Sequence, residues 1–433
     1  MIPKIETQSN KHREEYQNSR LRDTLKYVAS NSKYYKKLFD KHRIRVSSIN
    51  TVKSLSVIPP TTKDDIQKFN WDFLCVEKNK IVDYCSTSGT TGKPITIALT
   101  KNDLDRLAYN EAISFACADG NKDDLYQLML TLDRQFMAGI AYYLGIQKLG
   151  ARSVRIGPGA KYLQFETIEN LRPSVIVAVP SFLINLTEYF KQHNLQTDCS
   201  SVKKIVCIGE NIRTPDFDLN PLGQKLSETW KAKFYSTYAS TEMQTAFTEC
   251  LAGKGGHIHP ELIVAELLDE NNQPVIENEF GELTITTLGI EGMPLVRYKT
   301  GDIVKFHHEP CICGRTTPRI SPIIGRKQHL IKLKGTTIYP SGIYDILQSS
   351  NNVNDFVIEM NTTDLATDEI KLHLVVEKDT QSSVCEELTN MFRSKLKVTP
   401  QFSFCDKEKL EEMQFKDGRR KASRFIDNRN QLL

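Results

Sequence analysis

The sequence predicts an α/β protein in which a large N-terminal α/β domain, with mostly parallel and covered sheets, precedes a small C-terminal α+β (ferredoxin-like) domain. Between Tyr126 and Glu266, apolar runs of strand length alternate with helical patterns, which indicates a parallel sheet covered on both faces. After Asp302, short alternating runs flank a helical pattern from Ser382 to Leu396, which is typical of a small α+β unit. A length of 433 residues, at roughly 150 residues per domain, also favours two or three units.

Residues 1–80 are expected to form a helical element of the N-terminal domain. Two sets of apolar residues recur at helical intervals before the helix-breaking pair Pro59-Pro60: Leu21, Leu25 and Val28, then Tyr34, Tyr35 and Leu38. We place the N-terminal domain at residues 1–325 and a mobile C-terminal domain at 326–433. Two domains that meet at a flexible joint form a natural cleft.

Composition argues against several classes of protein. The 57 Lys and Arg nearly balance the 53 Asp and Glu, for a net charge of +4, whereas nucleic-acid binders concentrate positive charge. The first residues lack the apolar core of a secretory signal. The most apolar stretch, from Val175 to Ile184, is interrupted by Pro180 and is shorter than the ~20 residues of a membrane span. We therefore expect a cytoplasmic protein without nucleic-acid or membrane partners, in which most cysteines are not in disulfides.

A run of small and hydroxylated residues between Ser86 and Pro94 is the most informative stretch of the sequence. Backbone N–H groups and side-chain donors in such a run can surround a polyphosphate. The spacing G-x-x-G-K-P differs from the Walker loop, and the alternating Ile95, Ile97 and Leu99 indicate a strand after it. We expect a phosphate-binding loop between two strands, although a solvated turn has a similar composition. Its members are Ser86, Ser88, Gly89, Thr90, Thr91, Gly92 and Lys93.

This stretch, S-T-S-G-T-T-G-K-P, resembles the phosphate loop of the adenylate-forming superfamily, which includes acyl-CoA synthetases, luciferases and peptide-synthetase adenylation domains. More narrowly, the chain resembles the phenylacetate-CoA ligases over nearly its full length. The segment Ile58-Pro-Pro-Thr-Thr-Lys63 is similar to that family's L-P-x-T-x-K element.

Two central motifs support the resemblance. The stretch from Tyr238 to Glu242 is similar to Y-x-x-T-E, which implies that the tyrosine faces adenine, that Thr241 reaches the α-phosphate and that Glu242 binds magnesium. The C-I-G-E-N stretch that ends at Asn211 resembles an element whose backbone frames the adenine ring. The resemblance thus assigns to nucleotide binding Gly209, Glu210, Tyr238, Ala239 and Ser240.

Three motifs later in the sequence complete the resemblance. Asp302 ends a Y-K-T-G-D stretch similar to Y-R-T-G-D, whose aspartate accepts both ribose hydroxyls, and Arg326 resembles the hinge arginine near the ribose. Lys327-Gln328-His329 stands where the family has x-Asp-Asp, so the acidic hinge is missing. Lys421 begins a K-A-S-R-F-I-D-N-R stretch and is implied to be the catalytic lysine at the α-phosphate.

The cysteines suggest a metal site. Cys311-Ile-Cys313-Gly-Arg-Thr resembles a C-x-C-G-R-T stretch of phenylacetate-CoA ligase relatives, and Cys250 and His257 lie upstream. Three thiolates and one imidazole make a closed tetrahedral set for a structural Zn²⁺. His259 is an equally placed alternative to His257, and Cys250 is alternatively a buried residue without a metal.

The resemblance implies a ligase that uses ATP, Mg²⁺ and coenzyme A. A carboxylic acid, aryl by resemblance, would form an acyl-adenylate with release of pyrophosphate, and a thiol would then displace AMP. Our candidates for the acid pocket are Phe136, Met137 and Tyr142. Because the hinge is altered, a carrier-protein thiol or an amine is an alternative acceptor of the acyl group. A nucleotide-sensing scaffold and a kinase are further alternatives, and Pro94 disfavours the kinase. A homodimer is our candidate assembly.

Overall fold

The computed structural model describes residues 1–87, 94–196, 199–327, 331–333, 336–362, 368–396, 398–416 and 422–429. The chain forms two compact units. The first comprises Met1–Thr87, Ile95–Thr300 and Val304–Pro322, and the second includes Gly301–Ile303 and the described residues from Ile323 onward. None of the helices in these described ranges is long and apolar enough to span a membrane.

The N-terminal helices are confirmed, with one difference in their packing. Leu21, Leu25 and Val28 of the first helix are fully buried, whereas Phe39 replaces Leu38 as the buried residue at the end of the second. The helices of the first unit are α1 (Asn10–Asn31), α2 (Lys33–Lys41), α3 (Lys63–Phe69), α4 (Lys101–Cys117), α5 (Met137–Leu149), α6 (Lys161–Leu171), α7 (Pro180–Gln192) and α8 (Pro221–Thr229).

The strands of the first unit form three sheets within its described residues. One is the antiparallel pair β1 (Ile81–Ser86) and β2 (Thr96–Thr100), which confirms a strand on each side of the glycine-rich stretch. The second has the order β4-β3-β5-β6-β7-β8, with β3 (Leu125–Met129), β4 (Arg152–Arg155), β5 (Val175–Ala178), β6 (Lys204–Ile208), β7 (Lys233–Ser240) and β8 (Thr245–Thr248). The third has the order β10-β11-β12-β13-β9, with β9 (Gly256–His257), β10 (Ile263–Leu268), β11 (Phe280–Thr287), β12 (Tyr298–His307) and β13 (Arg319–Ile320).

The second sheet is parallel from β4 to β7 and is covered on both faces. Val177 and Val206 pack into one apolar cluster with residues of α4 and α5. Ile176 and Ile205 pack into another with residues of α6, α7 and α8. Because both faces are buried, β5 and β6 are apolar along almost their whole length. The predicted doubly covered parallel sheet is therefore confirmed.

The second unit is the predicted α+β fold. Its main sheet has the order β19-β18-β17-β20, and apolar residues of this sheet pack against α9 and α10 in one core. The elements are β14 (Gly325–Arg326), β15 (Ile331–Leu333), β16 (Thr336–Ile338), α9 (Pro340–Ser349), β17 (Asp355–Thr362), β18 (Asp368–Val375), α10 (Gln381–Leu396), β19 (Gln401–Phe404), α11 (Lys407–Gln414) and β20 (Phe425–Asp427).

Candidate active site

The two motifs assigned to adenine lie at the carboxyl ends of neighbouring parallel strands. Strands β6 and β7 are parallel neighbours, with Ile208 paired to Thr237. Gly209 follows the last residue of β6, and Tyr238 lies near the carboxyl end of β7. The carboxyl ends of neighbouring parallel strands are where α/β proteins place their ligands. The fold thus brings together two motifs that are separated by about thirty residues of sequence.

Glu210 has a side-chain contact that the sequence did not predict. Its carboxylate accepts hydrogen bonds from the backbone N–H and the hydroxyl of Ser181, both at 2.8 Å. Ser181 lies in the first turn of α7, where backbone N–H groups have no partner within the helix. Glu210 therefore fixes the start of α7 beside the end of β6.

Glu242 lies where three motifs meet. Its side chain is mostly buried, and its Oε1 lies 3.5 Å from the Tyr298 hydroxyl and 4.0 Å from Nζ of Lys63. Tyr298 begins the Y-K-T-G-D stretch, and Lys63 ends the Ile58–Lys63 segment. A carboxylate is a ligand that Mg²⁺ commonly uses together with the phosphates of a substrate.

Local structure explains how Lys63 reaches Glu242. The N–H of Thr61 donates to the Arg297 carbonyl, and the N–H of Lys299 donates to the Thr61 carbonyl, both at 2.9 Å. Thr62 then caps α3 through a reciprocal pair of contacts with Asp65, which is a strong signal for a helix start. Lys63 is consequently the first residue of α3. The sequence identified this segment by resemblance but assigned no role to the lysine.

The other members of the Y-x-x-T-E stretch differ in burial. Tyr238, Ser240 and Thr241 are half-buried, and Ala239 is exposed. The hydroxyl of Ser240 accepts a hydrogen bond from the N–H of Met243 at 3.3 Å, which stabilises the turn that carries Glu242.

Ser86 ends β1, and its N–H donates to the Gln135 carbonyl at 2.9 Å. This contact ties the beginning of the glycine-rich stretch to the residues that precede α5. The predicted residues Ser88, Gly89, Thr90, Thr91, Gly92 and Lys93, and also Gln328, His329 and Lys421, lie outside the described residues.

Asp302 and Arg326 contact each other within the second unit. They are paired residues of β12 and β14, and Nε of Arg326 lies 3.2 Å from Oδ1 of Asp302. The two residues assigned to the ribose therefore belong to one ion pair, in which the aspartate is buried and the arginine side chain is 43% exposed.

A family model described as "AMP-binding enzyme" matches residues 29–291. The chain belongs to this family. It is 28% identical over 350 residues to a phenylacetate-coenzyme A ligase of Thermus thermophilus, with 80% of this chain and 77% of that protein covered. It is 26% identical over 415 residues to a phenylacetate-coenzyme A ligase of Escherichia coli, with 91% of each covered. The predicted membership of the phenylacetate-CoA ligase branch is confirmed.

The fold of this AMP-binding enzyme is also similar to that of a solved structure. A 2-hydroxyisobutyryl-CoA ligase, crystallised in its postadenylation state with R3-HIB-AMP, superposes with a TM-score of 0.85 at 21% identity. The match covers 99% of this chain and 92% of the other. The predicted fold class is confirmed by this likeness together with the observed sheets.

The AMP-binding enzyme also brings together the four predicted zinc ligands. The ligand atoms of Cys250, His257, Cys311 and Cys313 all lie within 4.8 Å of one another. Sγ of Cys250 lies 3.4 Å from Sγ of Cys311, and Sγ of Cys313 lies 3.5 Å from Nε2 of His257. Tetrahedral zinc–thiolate bonds of about 2.3 Å place sulfur atoms roughly 3.8 Å apart. The four groups therefore fit a closed zinc site.

Sheet register decides between the two histidines. Strands β9 and β13 pair His257 with Arg319, and Nδ1 of His257 lies 3.3 Å from the Thr317 hydroxyl. Such a contact leaves Nε2 to face the cysteines, as in many metal-bound histidines. His259 instead contacts Glu6 at 2.5 Å.

Hydrogen bonds around the cysteines favour the thiolate form of one of them. Burial acts to raise the pKa of Cys313, but hydrogen bonds from His257 and Arg315 lower that pKa to about 5. Gly314, which follows it, has φ +89°, a left-handed conformation that glycine adopts readily. Cys117 packs against Cys250 and Cys311, a neighbour that its position in the sequence does not indicate.

The three candidates for the acid pocket lie at or near the start of α5. Phe136 precedes the helix and is half-buried, whereas Met137 and Tyr142 are 4% and 3% exposed. Tyr142 packs against Phe115 of α4, with 5.7 Å between the ring centroids. Phe136 packs against the same apolar cluster.

Proposed function

We propose that this AMP-binding enzyme joins a carboxylic acid, of the aryl, phenylacetate-like class, to coenzyme A at the expense of ATP, with release of AMP and pyrophosphate. The observation that carries the proposal is the meeting of Lys63, Glu242 and Tyr298, which belong to three separate motifs. The names of the curated relatives support the choice of acid and acceptor.

In the first half-reaction, a carboxylate oxygen attacks the α-phosphorus of ATP. The bond from that phosphorus to the bridging oxygen breaks, and pyrophosphate leaves with the electron pair. Both reactants are anions, so cationic groups that face the phosphates lower the barrier. We assign this role to Lys63 and, by the resemblance, to Lys93 and Lys421. Glu242 would hold Mg²⁺, which offsets phosphate charge when it is bound.

In the second half-reaction, the thiolate of coenzyme A attacks the acyl carbon, and AMP leaves with the electron pair of the broken C–O bond. No side chain has to form a covalent intermediate, because positioning and charge suffice. Tyr238 would face the adenine, the backbone of Gly209 and Glu210 would frame it, and Asp302 and Arg326 would bind the ribose.

We further propose that Cys250, His257, Cys311 and Cys313 hold a structural Zn²⁺. The donor set is closed, which leaves no position for a substrate. The zinc would link the segment from Cys250 to His257, which follows β8, to the segment between β12 and β13 that carries Cys311 and Cys313. It would thereby restrain the end of β12. Because all four ligands of the ion would come from the protein, the zinc would act as a structural cross-link.

Acid-dependent exchange of pyrophosphate into ATP tests the proposal directly. We expect exchange with aryl acids, and a roughly 10²–10³-fold lower rate in Glu242→Gln. Glu228→Gln, an exposed change on α8, is the matched control and should retain the wild-type rate. Formation of ADP instead of AMP would contradict the proposal.

Incubation of the acyl-adenylate with coenzyme A, and separately with a carrier protein or an amine, identifies the acceptor. A CoA thioester supports the proposal, whereas a product formed only on the carrier or the amine favours the alternative acceptor. Cell fractionation and sedimentation would test the cytoplasmic location and the homodimer, which stay predictions.

A further inference from the structure

Two buried polar side chains near the candidate pocket have no role in the reaction described above. Glu111 of α4 is 5% exposed and Tyr142 of α5 is 3% exposed. The Glu111 carboxyl and the Tyr142 hydroxyl make no hydrogen bond to a residue in the described ranges, and neither is among the fully enclosed side-chain polar atoms that lack a partner there. Buried polar groups almost always have a partner, because leaving one unpaired is unfavourable. A third polar group is therefore expected beside them.

Close packing of α4 against α5 brings the two side chains to one place. A Cβ atom added to Gly145 would lie 2.3 Å from Cβ of Glu111, so the two helices approach each other closely at this turn. Tyr142 lies one turn earlier on α5, and Phe115, which contacts its ring, lies one turn later on α4. The nearby Glu111 carboxyl also adds to the effect of burial in raising the pKa of Tyr142.

The state of the carboxyl determines what it can bind. Burial raises the pKa of Glu111 to about 8, so the group is mostly protonated and neutral at pH 7. A neutral carboxyl both donates and accepts a hydrogen bond, and so does a tyrosine hydroxyl. This pair therefore matches an uncharged hydroxyl group better than it matches an ion.

Helix α5 connects this pair to the reacting centre. Gln135 lies two residues before α5, and its carbonyl accepts the hydrogen bond from the N–H of Ser86 at the beginning of the glycine-rich stretch. Tyr142 follows Phe136 by six residues, which corresponds to about 9 Å along a helix at roughly 1.5 Å per residue. An aromatic ring with a short carboxylate arm spans a similar length.

We infer that Glu111 and Tyr142 form the far wall of the acid pocket and select aryl acids that carry a hydroxyl group on the ring opposite the carboxylate arm. This inference rests on the proposed ligase function and names its substrate class more closely. A ring without the hydroxyl would leave both protein groups unpaired, and sites built to bind a substrate hydroxyl discriminate strongly against analogues that lack it.

The test compares 4-hydroxyphenylacetate with phenylacetate in acid-dependent AMP formation by the full chain. We expect kcat/KM of the wild-type enzyme to favour the hydroxylated acid by at least about tenfold. In Tyr142→Phe and Glu111→Leu the ratio should fall towards unity, whereas Glu111→Gln should retain part of it. Tyr143→Phe, at the neighbouring position on α5, is the matched control and should leave the ratio unchanged.

The outcomes separate the inference from the proposed function. Equal use of the two acids by the wild-type enzyme, or a preference for phenylacetate, overturns the inference and leaves the ligase assignment intact. AMP formation with aliphatic acids alone overturns the inference and the aryl class of the proposed substrate, and leaves only the AMP-forming ligase assignment intact. Failure of every acid in a broad panel to give AMP overturns both. Because the wild-type ratio decides the matter, a variant that fails to fold does not obscure the result.

Discussion

Nζ of Lys63 lies 4.0 Å from Oε1 of Glu242, although the two residues are 179 positions apart in the sequence. The lysine is the first residue of a short helix, and the glutamate follows the last strand of the parallel part of the sheet. Tyr298 contacts the same oxygen at 3.5 Å. The positive charge of Lys63 is thus held close to the carboxylate that we propose as the magnesium ligand.

Replacement of Lys63 should slow adenylation more than it weakens ATP binding. We expect Lys63→Met to lower the rate of pyrophosphate exchange by roughly 10–100-fold, because a cation near the phosphates acts mainly on the transition state. Lys63→Arg should recover part of the rate. Lys68→Met, an exposed change on the same helix, is the control. Exchange at the wild-type rate in Lys63→Met would remove the role given to this lysine.

The contact between Lys63 and Glu242 also shows how far sequence reasoning reaches. Strands such as β5 and helices such as α7 are predictable because their patterns are local. Motif residues are predictable because their order along the chain resembles that of a family. The position of Lys63 is not, because it depends on the pairing of Thr61 with the residues around Tyr298.

The cysteine cluster illustrates the same limit. Spacing alone left His257 and His259 as equal candidates, and the β9–β13 register separates them. Nothing near Cys117 in the sequence indicates that it packs beside Cys250 and Cys311. Likewise, the hydrogen bond that the Ser181 N–H donates to the Glu210 carboxylate joins the start of α7 to the end of β6.

Removal of the proposed zinc should destabilise the first unit. We expect purified protein to contain about one equivalent of Zn²⁺ by elemental analysis, and Cys313→Ser to contain much less. Thermal unfolding of that variant should occur at least about 5 °C lower, because a ligand that binds only the folded state stabilises it. Cys385→Ser, a half-buried change on α10 outside the cluster, is the control. Zinc-free protein with wild-type stability would contradict the prediction.

Glu6 should be among the most important residues for stability in the N-terminal segment. Its fully buried carboxylate contacts Nδ1 of His259 at 2.5 Å and Nε of Arg315 at 2.6 Å. Glu6→Gln would leave Arg315 with a buried charge that is no longer balanced, which typically lowers the free energy of unfolding by about 3–5 kcal/mol. Thermal unfolding measures the effect, with the exposed change Glu14→Gln on α1 as the control.

The pH dependence of the Glu6 effect has a definite sign. Burial acts to raise the pKa of Glu6, but His259 and Arg315 lower it overall. A group with a lowered pKa in the folded state stabilises the protein above its unfolded-state pKa and loses that contribution in acid. The difference in unfolding temperature between wild type and Glu6→Gln should therefore shrink as the pH falls below about 4.5. A difference that does not change with pH would contradict this assignment.

Glu111 should make stability depend on pH in the opposite direction. Burial raises the pKa of its carboxyl from 4.5 to about 8. Between these two values, the folded state keeps a proton that the unfolded state has released, so stability falls as the pH rises. For this one group, the free energy of unfolding falls by about 1.4 kcal/mol for each pH unit in this range. Above pH 8 the folded state also releases the proton, and the loss levels off.

The variant Glu111→Gln removes this titration while retaining a side chain of similar size. Thermal unfolding of wild type and variant should therefore diverge between pH 5 and pH 8, with the variant gaining relative stability as the pH rises. Glu228→Gln, an exposed change, should follow the wild type at every pH. Parallel curves for wild type and Glu111→Gln would show that the carboxyl keeps an ordinary pKa. A neutral Glu111 would then no longer be available to bind a hydroxyl group, so this measurement, which needs no substrate, tests the chemistry of the pocket wall independently of turnover.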